Sequence, residues 1–309
     1  MKALITTIIV FVALTISAQQ SSILPHNYSD QFVYNPAATS LWGGTDVSGY
    51  YNQAFSNVSN APTVLFAGMQ YGLPGQSAAV GGYLLSERAS LLSQNTLAGT
   101  FSYKLRGIGD GYLSLGMGAT LSMYNFNGND ALVIDQADPN LGGQESGMGI
   151  NFQAGLVYSS AEQQSGRNAA PVIWQAGIGA ARLNRGINIR QLYEYEQEML
   201  LSAFASTIVD TGADIVIKGY VQAQYEALRE MYVVAGGRTL ISDSFLAGAS
   251  VDTELNVGLQ FGVLLKPQGG GSTSTLAANF NLPFGPVATI ANPGVGITFQ
   301  HHIDEASGW

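Results

Sequence analysis

The stretch ELNVGLQFGVL, residues 254–264, alternates apolar side chains with small or polar ones at every second position. Successive side chains of a β-strand point to opposite faces, so the alternation predicts a strand with one apolar face and one small, polar face. The two predicted faces consist of Leu255, Val257, Leu259, Phe261 and Val263 on one side, and Asn256, Gly258, Gln260 and Gly262 on the other.

The same alternation recurs along the chain, and its polar face separates two classes of protein. Further clear examples are residues 112–123, 150–159, 174–179, 215–225 and 295–300. The outward face of a soluble β-sandwich carries Lys, Glu and Arg, whereas the polar faces here carry mostly Gly, Ser, Thr, Gln and Asn. Such a face suits a barrel lumen, so the pattern favours a transmembrane barrel whose apolar faces contact lipid.

Extended to the whole chain, the pattern predicts an all-β, antiparallel, up-and-down barrel of about 14 strands. The predicted strands are residues 45–53, 62–71, 76–87, 91–105, 111–124, 148–159, 171–183, 199–207, 212–225, 228–239, 243–250, 255–266, 273–282 and 293–302. An even number returns the chain to the side on which it began, as in bacterial outer-membrane barrels.

The lengths of the predicted connections assign the two ends of the barrel. If the N-terminus is periplasmic, the long connections 125–147 and 184–198 lie outside the cell, and most connections on the other side are short. Two longer connections, 160–170 and 267–272, are exceptions on the periplasmic side. Long outer loops and short periplasmic turns are typical of these barrels, so we expect both termini in the periplasm.

The composition requires an apolar environment or a large partner. Hydrophobic residues make up 46% of the chain and charged residues 11%, with a mean hydropathy of +0.15. An ordinary soluble domain carries about 25% charged residues. The net charge of −9 argues against a nucleic-acid partner, and the lack of Cys excludes disulfides and thiol chemistry.

The N-terminus has the features of a cleaved secretion signal. Met1-Lys2 is followed by an apolar run from Ala3 to Ile16 and then by Ser17-Ala18-Gln19. The run is shorter than the roughly 20 residues of a spanning helix, so we predict a signal peptide at 1–18. The remaining chain divides into an irregular segment at 19–44, which is either a lumen plug or a periplasmic cap, and the barrel at 45–309. The segment's Phe32, Tyr34, Leu41 and Trp42 suit a plug.

The segment 31–38, QFVYNPAA, carries the most specific motif of the sequence. Taken locally, Asn35-Pro36 predicts a turn, because Pro fixes φ and Asn hydrogen-bonds its own backbone. Tyr34-Asn35-Pro36-Ala37 also resembles the N-terminal signature of the PorP/SprF family of type IX secretion outer-membrane proteins. Residues 50–53, YYNQ, stand where that family tends to have an Arg/Asn-Gln-Trp cluster, and residues 292–299 resemble its closing strand. The chain lacks the Trp of that cluster and has Thr39-Ser40 where a Gly is common.

The resemblance implies an outer-membrane barrel that binds, retains or guides a secreted surface protein. The partner it implies is an adhesin with a C-terminal type IX sorting domain, along with other components of the secretion system. It also implies roles in adhesin anchoring and gliding motility, in a bacterium of the Bacteroidota. The predicted cleavage junction Ala18-Gln19 is likewise similar to the type seen in Bacteroidota. The alternative function is a pore or transporter for small or apolar solutes, because a barrel of this size can hold an open lumen.

Two of the predicted outer loops supply candidate partner-binding residues. One contains Asp130 and Asp135, which suit a Ca²⁺ site in residue type but lack EF-hand spacing, so solvated acids are the better explanation. The other joins Arg182 and Arg185 to Tyr193 and Tyr195. Arg and aromatic side chains anchor protein interfaces, although a solvated loop has the same composition.

No arrangement in the sequence predicts catalysis. The Gly-x-Ser-x-Gly motif is absent, and His26 lies before the barrel. His301 and His302 are adjacent and therefore point to opposite faces of a strand, so they cannot converge on one metal ion. We therefore expect no enzyme activity, no cofactor and no metal site.

Overall fold

The computed structural model of the chain describes residues 30–41, 43–58, 60–75, 77–127, 144–161, 172–184, 187–190, 198–211, 215–227, 229–267, 271–284 and 292–303. The predicted signal peptide at 1–18 lies outside these residues. Two short 3-10 turns, Gln31–Val33 and Pro36–Ala38, precede the first strand.

Fifteen antiparallel strands make up the rest of the described fold. Their bounds are β1 Thr45–Gln53, β2 Thr63–Gly72, β3 Ala78–Ala89, β4 Leu92–Ile108, β5 Gly111–Asn127, β6 Gln144–Ser159, β7 Val172–Ala181, β8 Ile187–Arg190, β9 Leu200–Asp210, β10 Ile215–Glu226, β11 Arg229–Ile241, β12 Phe245–Asp252, β13 Asn256–Leu265, β14 Ser272–Pro283 and β15 Gly294–Ile303.

Fourteen of these strands close into a barrel. Each pairs with its neighbours in the chain, except that β7 pairs with β9, and the ring closes where β1 pairs with both β2 and β15. The short β8 lies outside the ring and pairs only with residues 148–150 of β6. The predicted fourteen-stranded antiparallel barrel is therefore confirmed, and every predicted strand is present.

The differences from the predicted strands lie mainly at the rims. Strands β5 and β6 continue to Asn127 and from Gln144, so the predicted loop 125–147 is shorter than expected. The predicted loop 184–198 contains β8. Leu255 was expected to begin a strand, but it lies in the turn before β13 with a φ of +61°. A left-handed residue breaks the extended backbone there, and the strand begins one residue later.

The predicted outward and inward faces are both confirmed. Side chains such as Met117, Ile178 and Phe261 are more than half exposed on the outer surface. Their neighbours Ser114, Gln175 and Gln260 are buried inside the ring. No helix among the described residues is long and apolar enough to cross a membrane.

The two ends of the barrel differ in the length of their connections. At the end where β1 finishes, the longer connections are 54–62, 128–143, 182–199 and 284–293. At the end where β1 begins, the connections 73–77, 109–110, 211–214 and 242–244 are short, and 160–171 and 266–271 are longer exceptions. We refer to these as the long-loop end and the short-loop end.

Candidate functional site

The chain before β1 enters the barrel, and its described residues 30–41 are called here the lumen segment. Asn35 organises this segment locally, because its Oδ1 accepts a hydrogen bond of 3.0 Å from the Ala37 N–H. Pro36 occupies the first position of the second 3-10 turn, where its missing N–H has no cost. Thr39 Oγ1 donates to the Pro36 carbonyl at 2.7 Å and ends the turn. The turn predicted at Asn-Pro is present.

The other half of the Asn35 amide holds the segment to the barrel wall. Its Nδ2 donates to the carbonyl oxygens of Leu156 in β6 and Ile178 in β7, at 3.1 and 3.0 Å. The side chain is 1% exposed. A buried amide that uses both its donor and its acceptor costs little in desolvation and fixes one orientation. Asn35 therefore joins the turn to two strands.

Three glycines of the wall make room for the segment's backbone. A Cβ at Gly116 in β5 would collide with the backbone of Ala37, and one at Gly155 in β6 would collide with Asn35 Oδ1. A Cβ at Gly179 in β7 would lie 2.7 Å from the Tyr34 carbonyl oxygen. These glycines belong to the predicted lumen faces, and the close approach of the segment explains why side chains are absent there.

An aromatic cluster fixes the other side of the segment. Phe32 is fully buried and makes edge contacts with Phe66 of β2 and Tyr83 of β3, with ring centroids 6.4 and 5.6 Å apart. Tyr50 of β1 stacks on Phe66 at 4.9 Å. Aromatic pairs at these distances add about 0.5–1.5 kcal/mol each beyond their buried area. The cluster is an apolar core inside a barrel whose wall is otherwise largely polar.

Further hydrogen bonds join the segment to strands around most of the ring. Gln70, Ser102 and Tyr112 are examples: Gln70 Oε1 accepts from the Ser40 N–H at 2.7 Å, while the Ser102 and Tyr112 hydroxyls donate to the Thr39 and Leu41 carbonyls at 2.9 and 3.0 Å. Ser48 of β1, Tyr83 of β3, Thr100 of β4, Ser202 of β9 and Gln222 of β10 also bond to it. The bonded strands are β1 to β7, β9 and β10.

Asp30 carries a buried carboxyl at the start of the segment. Ser48 Oγ donates to its Oδ1 at 2.6 Å. Burial raises the pKa of Asp30 to about 7; the bond from Ser48 opposes this, nearby Asp46 adds to it, and the charge of Arg238 opposes it. Asp46 itself lies 2.8 Å from His302 Nδ1. The segment therefore begins beside a group of charged side chains inside the barrel.

Arg182 lies at the opposite, long-loop end of the lumen. Its Nη1 donates to Oε1 of Glu226 at 2.7 Å, which ties the end of β7 to the end of β10 across β9. The side chains of Arg182 and Glu226 are 28% and 15% exposed. This ion pair stands at the mouth of the barrel.

The candidate residues predicted from sequence fall into three groups. Tyr34, Asn35, Pro36 and Ala37 lie together inside the barrel. Arg182 is apart from them, paired with Glu226. The remaining candidates, Asp130, Asp135, Arg185, Tyr193 and Tyr195, lie outside the described residues, as does Trp42.

The predicted divergence of the two C-terminal histidines is also visible. His301 Nδ1 lies 2.8 Å from Ser274 Oγ, and His302 contacts Asp46 on the other face of β15. Among the residues with described positions, there is no group of three or more His, Cys, Asp or Glu side chains that suits a metal ion.

The sequence did not identify Glu226 or Asp30 as site residues. It also did not identify the three glycines that make room for the lumen segment, Gly116, Gly155 and Gly179. The alternation placed these glycines on the lumen face, and the small size of that face was the one available sign that another part of the chain packs there. Their partner is distant in sequence, so no local pattern identifies it.

Comparison with known proteins gives one family and a set of similar folds. The sequence model of the family described as "Type IX secretion system membrane protein PorP/SprF" matches residues 16–283. No curated protein matches the sequence. The structure of the CymD monoaromatic hydrocarbon channel is similar, with a TM-score of 0.56 and 11% identity over 89% of this chain and 92% of the channel. The structure of a deltaS2S3 mutant of the TodX monoaromatic hydrocarbon channel is also similar, with a TM-score of 0.52 and 10% identity over 90% of this chain and 94% of the mutant. At such identities the likeness concerns the fold alone.

Proposed function

The chain belongs to the family of type IX secretion system membrane proteins PorP/SprF, and we propose that it is a plugged outer-membrane barrel that binds a secreted surface protein. The barrel retains or guides this partner, an adhesin with a C-terminal type IX sorting domain, at the cell surface. The family and the barrel fold place the protein in the outer membrane, and contact with other components of the secretion system follows from membership.

The lumen segment is the observation that carries the proposal. It is buried inside the barrel and bonds to nine of the fourteen strands of the ring, β1 to β7, β9 and β10. In this proposal the segment closes the lumen, so that the barrel offers its loops, rather than its interior, to large partners. This supports a binding platform in which residues 19–44 act as a lumen plug and not as a periplasmic cap.

The binding surface in this proposal is the long-loop end. Its loops carry Arg182, Arg185, Tyr193 and Tyr195, and a second loop carries Asp130 and Asp135. Arg and Tyr supply large contact areas and hydrogen bonds at protein interfaces. The greater length of the connections at this end supports an extracellular position for it, with both termini in the periplasm.

Removal of residues 1–18 by signal peptidase is part of the same proposal. Mass spectrometry of the protein purified from outer membranes should give a mature chain that begins at Gln19. An intact Met1 in the membrane-inserted protein would contradict it.

The binding function is tested by deleting the gene and restoring it with variants. The amount of adhesins with a C-terminal type IX sorting domain on the cell surface should fall sharply on deletion, and the intact gene should restore it. A variant with Tyr193→Ala and Tyr195→Ala should reach the outer membrane but restore less adhesin. Normal surface adhesin in the deletion strain would refute the proposal.

A pore for small or apolar solutes is the second candidate, because the folds with which this barrel compares include hydrocarbon channels. The inner wall argues against an apolar solute, since its buried side chains include amides such as Gln70, Gln153, Gln175, Gln260 and Asn279. Buried amides impose a desolvation cost that a hydrocarbon cannot repay. Vesicles that contain the barrel should admit a monoaromatic hydrocarbon no faster than empty vesicles; faster entry would favour the pore.

A further inference from the structure

The apolar core inside the barrel belongs mainly to the first part of the chain. We call its members in the lumen segment and in β1 to β4 the N-terminal core: Phe32, Val33, Ala37, Ala38, Leu41, Tyr50, Phe66, Tyr83 and Ala98. Later strands add Tyr112, Val157 and Phe204. The other cluster of buried apolar residues in the described part of the barrel is small and consists of Tyr232 and Val234. Apolar burial in the lumen is therefore concentrated where the lumen segment meets β1 to β4.

The hydrogen bonds of the lumen segment differ widely in how much chain they enclose. Those with β1, β2 and β3 join residues that are 18, 30 and 50 positions apart. Those with β6, β7, β9 and β10 join residues that are 121 to 191 positions apart. Each doubling of the intervening chain lowers the probability that its ends meet by about threefold. The contacts with the first strands can therefore form before those with the later strands.

The contacts with near and distant strands also differ in chemistry. Phe32 packs its ring against Phe66 of β2 and Tyr83 of β3. Tyr50 of β1 stacks on Phe66, whereas Ser202 of β9 contacts the segment through a hydrogen bond. Before the ring closes, water can satisfy the polar groups of the wall, but the burial of apolar surface is already favourable. The aromatic contacts therefore supply the driving force for early packing of the segment on the first strands.

We propose that the lumen segment directs the assembly of the barrel: the N-terminal core forms first, and the remaining strands add around it until β15 meets β1. The segment directly precedes β1, so it is next to the first strands from the start. Gly116, Gly155 and Gly179 fit this order, because β5, β6 and β7 must pass closely around a segment that is already in place. The inference concerns how the barrel forms and does not depend on which molecule the barrel binds.

Folding kinetics test the order of the contacts. The full chain is unfolded in urea and diluted into lipid vesicles, and folding is followed by Trp fluorescence. Phe32→Leu removes ring contacts of the N-terminal core, so it should slow folding severalfold, by about the same factor by which it lowers the folding equilibrium constant. Ser202→Ala removes a contact with β9 and should leave the folding rate unchanged while unfolding becomes faster.

Phe101→Leu is the matched control for Phe32→Leu. It makes the same change on the outer face of β4, where the side chain is 40% exposed, and it should leave the folding rate unchanged. Folding of Phe32→Leu at the wild-type rate would overturn the inference. Equal slowing by Phe32→Leu and Ser202→Ala would also overturn it, since near and distant contacts of the segment would then form together.

Thiol labelling gives the order directly and needs no change in the N-terminal core aromatics, because the chain contains no Cys. Ala98→Cys and Ala277→Cys each place one thiol on the inner face, in β4 and β14, at positions that are 6% and 3% exposed. Pulses of a maleimide at successive times of folding should find Ala98→Cys protected first. Protection of both thiols at the same time, or of Ala277→Cys first, would overturn the order.

Replacing residues 30–41 by a Gly/Ser linker of equal length separates the role of the segment from that of the strands. Without the segment, Ala98→Cys should gain protection no earlier than Ala277→Cys. Early protection of Ala98→Cys in the linker variant would show that β1 to β4 fold first on their own, and it would overturn the directing role of the segment.

Discussion

At the scale of single residues, Asn35 shows what local sequence can predict. An Asn-Pro pair predicts a turn, and the turn is present because Asn35 Oδ1 accepts from Ala37 N–H. The partners of its Nδ2 are the Leu156 and Ile178 carbonyls, 121 and 143 residues away along the chain. Those contacts exist only after the barrel closes, so no local pattern contains them.

Asn35→Asp keeps the turn and removes the two contacts with the wall. The carboxylate still accepts from Ala37 N–H, but it faces two carbonyl oxygens without a donor. We expect the free energy of unfolding to fall by about 2–4 kcal/mol, as measured by urea titration with Trp fluorescence. Asn125→Asp, on an exposed position of β5, is the control and should change stability little. Equal stability of the Asn35→Asp variant would contradict the assigned bonds.

Gly155→Ala tests whether the close packing at this glycine holds the lumen segment in place. The added Cβ collides with Asn35 Oδ1, so the segment must move away from β6. We expect faster proteolysis within residues 30–41 in the purified barrel. The control is Gly99→Ala in β4, where a Cβ meets no atom within 4 Å. A cleavage rate that is the same in both variants would show that packing against Gly155 does not hold the segment.

The raised pKa of Asp30 predicts that the stability of the barrel depends on pH. Its pKa is about 7 in the folded barrel and 3.8 is the ordinary value, so the unfolded chain releases the proton first as pH rises. Stability contributed by the neutral carboxyl is therefore complete below about pH 4, is lost between about pH 4 and 7, and stays lost above that. Asp30→Asn should remove this loss, so its stability gain over the wild type should be larger at pH 8 than at pH 4. A pH-independent gain in urea titrations would contradict the assignment.

At the scale of elements, periodicity predicted the strands because each barrel strand repeats the two-residue pattern over at least eight positions. The four-residue β8 was not predicted, since four residues inside a polar loop carry no usable period. Its pairing with β6 also shifts register between Met148 and Gly149. Short, irregular strands at the rim depend on the neighbouring strand more than on their own sequence.

The outer face of β5 offers a depth-dependent prediction. Met117 is 64% exposed near the middle of this strand. Met117→Arg places a charge at mid-membrane and should destabilise folding into lipid vesicles by about 2–4 kcal/mol. Val58→Arg, in the connection 54–62, should cost at most about 1 kcal/mol. Equal costs at the two positions would contradict the assignment of the membrane-facing band.

At the scale of the whole molecule, the closure of the ring could be predicted from the sequence, whereas the filling of its lumen could not. The alternation predicted a closed barrel, and β1 pairs with β15 along nine residues as expected. Asn281 Nδ2 also donates to Asn52 Oδ1 at 2.9 Å, which ties β14 to β1 inside the closure. The filling depends on how residues 30–41 meet nine strands at once, and this is a property of the assembled barrel.

The conductance of single barrels in a planar lipid bilayer tests the closed lumen most directly. Wild-type protein should give no steady current, because the lumen segment blocks the passage. A variant in which residues 30–41 are replaced by a Gly/Ser linker of equal length should conduct ions. A large and steady current through the wild type would contradict the plugged barrel.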